Sequence, residues 1–261
     1  MTKPIQIDRD FFDREGYVVV EDILSEEEIV EARSLFEKWL PEDVQPPLVP
    51  GEVGVPSNGR KPLLAEYCEP RLSNLAGHPR LVEAVAGLLD TSPRLRSASV
   101  PVATYKSTPG TERFDLGYHV DWPNNPPEPG DEALINGVLH VNKVEPGGGA
   151  FMLYPGSHHC VEKYLQDPEL RARALGQDFN DMPGLPEPME MCVPAGSAVF
   201  FHSFLVHDRS ENLLDVPRLV LFVHYEERSD QAPLEENASR FHADHLKAMD
   251  NSMKELCGIP V

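Results

Sequence analysis

The sequence predicts a mainly β fold of the α+β class, a sandwich or jelly roll with flanking helices. At 261 residues the chain can bury a full core, and its length fits one large β-rich domain as readily as two small ones, although the sequence has no obvious linker or repeat. Apolar residues recur at helical spacing near both ends, whereas from about residue 94 the period changes to two. Seven or more short strands then follow one another, as in sandwiches and jelly rolls. We therefore predict a single domain with a helical part over about 1–92, a jelly-roll core over about 93–228 and a C-terminal helix over about 233–257.

The first predicted helix begins with a capping box, SEEE at residues 25–28. The Ser25 side chain and the Glu28 carboxylate can each bind the other residue's backbone amide. Leu24 and Ile29 occupy the hydrophobic staple positions, and the apolar stripe that follows ends at Pro41. This helix is predicted to be structural.

Local composition also predicts the remaining helices, loops and strands. A second helix is predicted to start at Pro79, because proline is tolerated in a first turn. Residues 41–62 are rich in Pro and Gly and predict irregular chain, either a surface loop or a flap over a site. A helix over about 162–175 interrupts the strands. The predicted strands are RLRSASVPVATYKS, GYHVDW, LINGVLHVNKV, AFMLY, MEMCV, GSAVFFHS and RLVLFVHY.

The formal net charge of −20 argues against binding to nucleic acid or to an anionic membrane through a general electrostatic field. The start, MTKPIQIDRDFF, lacks the pattern of a signal peptide, and no apolar run is long enough to span a bilayer. We expect a soluble cytoplasmic protein and leave the oligomeric state open. The four cysteines have no CxxC spacing, so each is expected to be a free, buried thiol.

The segment YHVDW at residues 118–122 places a His and an Asp two positions apart in a predicted strand. Residues i and i+2 of a strand project to the same face, so His119 and Asp121 can point into one cavity. Trp122 is expected to line that cavity or to pack in the core. A second pair, His242 and Asp244, falls in the predicted C-terminal helix, where the two side chains diverge. The first pair is therefore the candidate metal chelate.

A catalytic metal needs a third protein ligand, and a later segment offers His202 and His207, followed by Arg218. Two His and one carboxylate on one side of an octahedral iron(II) leave three positions open. Those positions can hold a bidentate 2-oxo acid and dioxygen. At this stage either histidine could complete the set.

Over most of its length the chain resembles the phytanoyl-CoA dioxygenase family of iron(II)/2-oxoglutarate-dependent oxygenases. The shared features are the opening FDREGYVVVEDILSEEEI, the His-x-Asp strand, the turn YPGSH and the closing pattern AGSAVFFHSFLVHDRSEN…R. In that family the distal metal His is followed five residues later by Asn and eleven later by Arg. His207, Asn212 and Arg218 match both intervals, and His202 does not. The resemblance also implies a double-stranded β-helix, the cupin-like jelly roll.

The resemblance implies site residues. His119, Asp121 and His207 would bind iron, and the planar guanidinium of Arg218 would form a two-point pair with the side-chain carboxylate of 2-oxoglutarate. Asn212 belongs to the same cosubstrate pattern. A polar side chain at a further position, matched by Lys106 or Thr104, would help to hold the cosubstrate's other carboxylate.

This chain departs from the family pattern at two places, and both concern the secondary contacts expected to 2-oxoglutarate. The family often has His-Gly-Ser where this chain has HDRS, which puts the hydroxyl of Ser210 one place late. A Trp common near the start of the LINGVLHVNKV strand is absent. His140 and His202 are expected to be structural histidines or, alternatively, substrate contacts.

The implied reaction uses iron(II), 2-oxoglutarate and O2 to hydroxylate an unactivated C–H bond of a small-molecule metabolite, with release of succinate and CO2. The carboxylate of Asp121 favours hydroxylation or desaturation over halogenation, because related halogenases have Gly or Ala there. The acidic composition disfavours an acyl-CoA substrate, so a small, neutral or weakly charged metabolite is expected. The alternatives are a cupin-like isomerase or hydrolase with another divalent metal, and a catalytically silent jelly-roll binding protein.

Overall fold

The structure is a computed structural model of the chain, and it describes residues 4–39, 60–62, 70–96, 100–106, 118–121, 134–169, 182, 184–228, 238 and 243–261. The helices are α1 (Arg9–Glu15), α2 (Glu26–Trp39), α3 (Pro70–Asn74), α4 (Pro79–Leu89), α5 (Ser157–Gln166), α6 (Ala243–Ala248) and α7 (Asn251–Leu256), with a 3-10 turn at Leu75–Gly77. The strands are β1 (Tyr17–Val20), β2 (Arg60–Pro62), β3 (Pro93–Leu95), β4 (Val100–Thr104), β5 (Ile135–His140), β6 (Phe151–Leu153), β7 (Met189–Met191), β8 (Ala198–His202), β9 (His207–Arg209) and β10 (Arg218–Glu227).

Two antiparallel sheets make up the core. The larger has the order β1-β8-β5-β10-β4-β2, with β3 also paired to β10, and the smaller has the order β7-β6-β9. One buried apolar cluster contains side chains from both sheets, which shows that they pack face to face: Val102, Val138, Val199, Phe201 and Val220 from the larger, and Phe151, Leu153 and Met191 from the smaller. This two-sheet arrangement is the predicted jelly roll.

The other face of the larger sheet carries the helices. Alternate residues of β10, such as Leu219, Leu221 and Val223, join a second cluster with α2 and α4. The two faces of β10 therefore serve different purposes, since one packs against helices and the other faces the smaller sheet. That alternation determines which side chains can reach a site between the sheets.

The predicted start of α2 is confirmed. The Ser25 amide donates to Glu28 Oε2 at 2.8 Å, and the Glu28 amide donates to Ser25 Oγ at 3.3 Å. Leu24 and Ile29 are both buried, as the staple requires. The helix predicted from Pro79 is also present as α4.

Three local predictions differ from the structure. The C-terminal helix is divided into α6 and α7, because Asp250 caps a new helix by accepting from the Met253 amide. Helix α5 starts at Ser157, earlier than predicted, and the end of the predicted segment lies outside the described residues. Around His119 the described residues form an isolated β-bridge and no extended strand. Residues 41–59, Trp122 and His242 also lie outside the described part of the chain.

Three cysteines in the described residues are free thiols, as predicted. Cys257 is buried, but Cys192 is exposed and Cys160 is half-buried, so the expectation of burial is wrong for those two. Cys68 lies outside the described residues. None of the helices in the described ranges is both long and apolar enough to cross a bilayer.

Candidate metal centre

His119, Asp121 and His207 come together at one end of the space between the sheets. Their potential ligand atoms all lie within 4.8 Å of one another. His207 Nε2 is 3.4 Å from Asp121 Oδ2, and His119 Nε2 is 3.7 Å from Asp121 Oδ1. Two imidazoles and one carboxylate are the donor set of non-haem iron(II) oxygenases, so the residues present fit such an ion.

Backbone pairing brings these residues together. His119 and His207 form an antiparallel bridge, in which the His119 amide donates to the His207 carbonyl at 3.0 Å and the reverse bond is 2.9 Å. This bridge joins the 118–121 segment to the edge of the smaller sheet, next to β9. The ring centroids of the two histidines are consequently only 4.3 Å apart.

The orientation of His207 is fixed on both sides. Its Nδ1 lies 2.9 Å from the Leu205 carbonyl, which can only accept, so Nδ1 carries the proton and Nε2 faces Asp121. The rings of Phe151 and Phe201 flank the imidazole at 5.2 and 4.8 Å. His207 is therefore a candidate metal ligand that has a defined tautomer and lies between apolar rings.

Asp121 and His207 shift each other's pKa values in opposite directions. Burial alone would raise the pKa of Asp121, but the charge of His207 and its hydrogen bond, together with the charge of His119, lower that pKa well below its ordinary value. Burial alone would lower the pKa of His207, but the Asp121 carboxylate raises it. The carboxylate is therefore ionised and ready to act as a ligand.

A second polar group lies further along the inner face of the larger sheet. Arg218, the first residue of β10, is only 2% exposed, and its Nη2 donates to Thr104 Oγ1 at 3.5 Å. His140 is fully buried on the same face. Burial, and then the charge of Arg218, lower the pKa of His140 to about 3, although the carbonyls of Val138 and Ser197 oppose this shift. His140 is thus neutral beside the guanidinium.

Lys106 and Asn212, the other residues predicted to contact the cosubstrate, form bonds to other parts of the protein. The Lys106 side chain is 52% exposed and forms an ion pair with Asp215 at 2.8 Å. Asn212 is buried, and its amide nitrogen donates to the carbonyls of Thr104 and Val216, while its oxygen accepts from the Leu214 amide. These contacts favour Thr104 over Lys106 as a pocket residue and favour a structural role for Asn212 in the loop between β9 and β10.

His202, the rival third ligand, lies away from the triad. Its Nδ1 accepts from the Phe204 amide at 3.0 Å, and its ring is 5.1 Å from that of His158. It belongs to the opposite face of β8 from Phe201, because neighbouring strand residues alternate. The geometry thus agrees with the sequence intervals that select His207.

Sequence reasoning missed one group. Asn136 on β5 is 2% exposed, and its Nδ2 lies 3.5 Å from Asp121 Oδ2. Its Oδ1 lies 3.0 Å from His224 Nδ1 on β10. Burial lowers the pKa of His224, although the Asp121 charge opposes this. The period-two pattern places Asn136 and His140 on one face of β5, but it does not indicate which strand residue opposes either of them.

The sequence profile of the phytanoyl-CoA dioxygenase (PhyH) family matches residues 12–220, which is well over half of the chain. The chain belongs to this family. Membership confirms the predicted enzyme class, an iron(II)/2-oxoglutarate-dependent dioxygenase. Among curated proteins, the ectoine dioxygenases of Bordetella parapertussis and Bordetella bronchiseptica are each 24% identical over 237 residues, covering 82% of this chain and 72% of theirs.

Similar solved structures confirm the jelly-roll fold. The epimerase SnoN from nogalamycin biosynthesis has a TM-score of 0.61 at 21% identity, covering 84% of this chain and 81% of its own. EctD from S. alaskensis with 2-oxoglutarate and 5-hydroxyectoine has a TM-score of 0.58 at 20% identity, with coverages of 86% and 77%. HygX from Streptomyces hygroscopicus with nickel and 2-oxoglutarate has a TM-score of 0.56 at 19% identity, with coverages of 85% and 88%.

Proposed function

We propose that this dioxygenase hydroxylates an unactivated C–H bond of a small-molecule metabolite, with iron(II) held by His119, Asp121 and His207. The observation that carries the proposal is the convergence of these three side chains beside the inner face of the larger sheet, which also carries the buried Arg218. When bound, iron and 2-oxoglutarate supply the oxidising chemistry, with release of succinate and CO2. The protein contributes geometry, charge and exclusion of water.

Each polar residue of the site has a distinct task in this proposal. Asp121 supplies the negative charge that balances a divalent cation, and His207 presents Nε2 in a fixed tautomer. Arg218 binds the far carboxylate of 2-oxoglutarate through two parallel N–H···O bonds. Thr104 holds one guanidinium nitrogen, and the neutral ring of His140 adds no competing charge. Phe151 and Phe201 keep the metal end apolar.

The substrate is proposed to be a small, neutral or weakly charged compound. The net charge of −20 would repel the phosphates of an acyl-CoA, which need a local cluster of basic residues. The names of the similar proteins mention ectoine, nogalamycin and hygromycin B, which are all small molecules. We further propose a cytoplasmic enzyme without a nucleic-acid or membrane partner.

Anaerobic spectroscopy tests the proposal. Iron(II) followed by 2-oxoglutarate should produce the weak visible charge-transfer band of a chelated complex in the parent protein. His207→Ala should abolish this band, whereas His202→Ala, a control at the rival histidine away from the triad, should retain it. A folded parent without the band, or a band that survives His207→Ala, would show that the function or the ligand set is wrong. Slow succinate release without substrate would exclude the silent binding protein and the isomerase or hydrolase.

A further inference from the structure

Behind the metal ligand Asp121 lies a pair of polar residues, the buried Asn136 on β5 and the half-buried His224 on β10. They are directly opposite each other in the antiparallel register of the two strands. Both project to the inner face of the larger sheet, because each lies an even number of positions from an inner-cluster residue, Val138 on β5 and Val220 on β10. A polar pair on this face adjoins the reaction site and is separated from the helix-packed core.

The directions of the two hydrogen bonds follow from chemistry. An ionised carboxylate only accepts, so Asn136 must present its NH2 group to Asp121 Oδ2, 3.5 Å away. The amide oxygen of Asn136 then faces His224, whose Nδ1 lies 3.0 Å away and must donate. One chain of donors therefore runs from His224 through Asn136 to the carboxylate, and it defines both the amide orientation and the imidazole tautomer.

The carboxylate needs an orienting partner because its terminal torsion is soft, and the terminal torsions of the two imidazole ligands are soft for the same reason. His207 is oriented by the Leu205 carbonyl. Within the described residues, Asn136 provides the hydrogen-bond donor to Asp121 that lies outside the triad. Of the two carboxylate oxygens, Oδ2 is the one that Asn136 engages, while Oδ1 lies nearer to His119.

We propose that Asn136 and His224 form a positioning relay that sets the orientation of the Asp121 carboxylate and thereby the affinity of the site for its metal ion. This inference deepens the proposed function and depends on it. Neither residue touches the metal in the proposal. His224 acts only through Asn136, because its imidazole holds the amide in the orientation that donates to the carboxylate.

The relay makes a distinctive prediction about Mn(II), which serves as a redox-stable probe of the same site. Asn136→Leu, close to isosteric, should weaken Mn(II) binding by about 10-fold or more in calorimetric titration, the usual effect of losing a partner that orients a ligand. His224→Phe should also weaken Mn(II) binding, although this variant keeps an aromatic ring at the position and leaves Asp121 unchanged. His224→Asn should restore much of the affinity, because its amide can supply the lost donor.

The double variant distinguishes a relay, in which His224 acts through Asn136, from two residues that affect Mn(II) binding independently. If His224 acts through Asn136, then Asn136→Leu combined with His224→Phe should bind Mn(II) no more weakly than Asn136→Leu alone. Asn142→Leu is the matched control, since Asn142 binds the Pro217 carbonyl and the Leu219 amide and has no contact with the triad among the described residues. It should lower the melting temperature while leaving Mn(II) affinity unchanged.

Three outcomes would overturn the relay: parent-like Mn(II) affinity in Asn136→Leu, equal affinities in His224→Phe and His224→Asn, or additive losses in the double variant. These outcomes are distinct from failure of the proposed function. A parent protein that binds Mn(II) through the triad yet gives no band with iron(II) and 2-oxoglutarate would contradict the function and leave the relay intact. A parent that binds no divalent metal would contradict both.

Discussion

Arg218 is the residue on which cosubstrate affinity is expected to depend most. Its guanidinium is almost completely buried, and burial strengthens a charge-assisted pair with a carboxylate. The same burial makes any replacement costly, because a carboxylate bound there would lose its partner in a setting with little water. Lysine offers a point charge without the planar fork, so even a substitution that conserves charge is not equivalent.

Arg218→Gln should raise KM for 2-oxoglutarate by roughly 30-fold or more, which corresponds to about 2 kcal/mol of lost binding at a buried charge pair. Arg218→Lys should fall between the parent and Arg218→Gln. Steady-state succinate formation at saturating iron measures this. Arg71→Gln is the control, because Arg71 is exposed and pairs with Glu31 on the surface at 3.3 Å. An unchanged KM in Arg218→Gln would rule out its role as the carboxylate anchor.

The family's residue spacing predicted the candidate metal ligands, because intervals along a single segment are visible in a sequence. The five-residue and eleven-residue intervals from His207 distinguished it from His202, and the structure brings His207 to Asp121. The link between Asn136 and His224 joins positions 88 residues apart and depends on strand register. No local pattern specifies that register, so the relay required the structure.

At the scale of an element, α2 shows how local chemistry sets a boundary. The reciprocal bonds of Ser25 and Glu28 satisfy backbone amides that a helix start leaves without partners. Glu28 has a further role, since its Oε1 lies 3.2 Å from Nε2 of His78, the residue that caps α4. The capping box thus connects two helices that cover the larger sheet.

Ser25→Ala should lower the free energy of unfolding by about 1 kcal/mol, because it removes the side-chain cap of α2. Ser25→Asp should retain most of the stability, as Asp is an equally good cap. Chemical denaturation with urea measures both. Ser34→Ala serves as the control on the same helix, because the Ser34 hydroxyl only returns to the Glu31 carbonyl within the helix. Equal stabilities of Ser25→Ala and Ser34→Ala would contradict the capping role.

Elements were harder to predict where tertiary pairing overrides local pattern. GYHVDW has strand composition, but its described residues make one bridge, at His119. The apolar spacing of the C-terminal tail is continuous across Asp250, yet the carboxylate there caps a new helix. Short polar side chains compete with the helix for hydrogen bonds to backbone groups in this way. The apolar periodicity of the sequence does not show which hydrogen bond forms.

Across the whole molecule, the strand count and the change of period predicted a sandwich or jelly roll, since both describe which face of each segment is apolar, and the family resemblance selected the jelly roll. The division of β10 into Val220 on one face and Leu221 on the other follows the same rule. Polar residues on the inner face are the exceptions, and they lie on the side of the larger sheet that faces the candidate metal centre: Thr104, Asn136, His140, Arg218 and His224. Function in this fold is therefore concentrated where the apolar alternation of the inner face is broken.

Two neutral histidines, the buried His140 and the half-buried His202, should limit the acid stability of the protein. Burial, with the charge of Arg218, lowers the pKa of His140 to about 3, and burial, with the charges of His158 and His159, lowers the pKa of His202 to about 3. In the unfolded chain each imidazole binds a proton near pH 6.5. Between these values the unfolded state holds the extra proton, so acidification favours unfolding, and above pH 6.5 neither group contributes a slope.

His202→Asn tests this pH dependence of stability. An Asn oxygen can still accept from the Phe204 amide, but the variant has no titrating ring at this position. As pH falls from 6.5, the parent's free energy of unfolding should decline with about 1.4 kcal/mol per pH unit from each of the two histidines, and the variant should lose one of these contributions. Urea unfolding at pH 8 gives the packing effect of the substitution alone, since His202 is then neutral in both states. If the stability curves of parent and variant stay parallel from pH 8 down to pH 5, His202 is not held neutral in the folded protein.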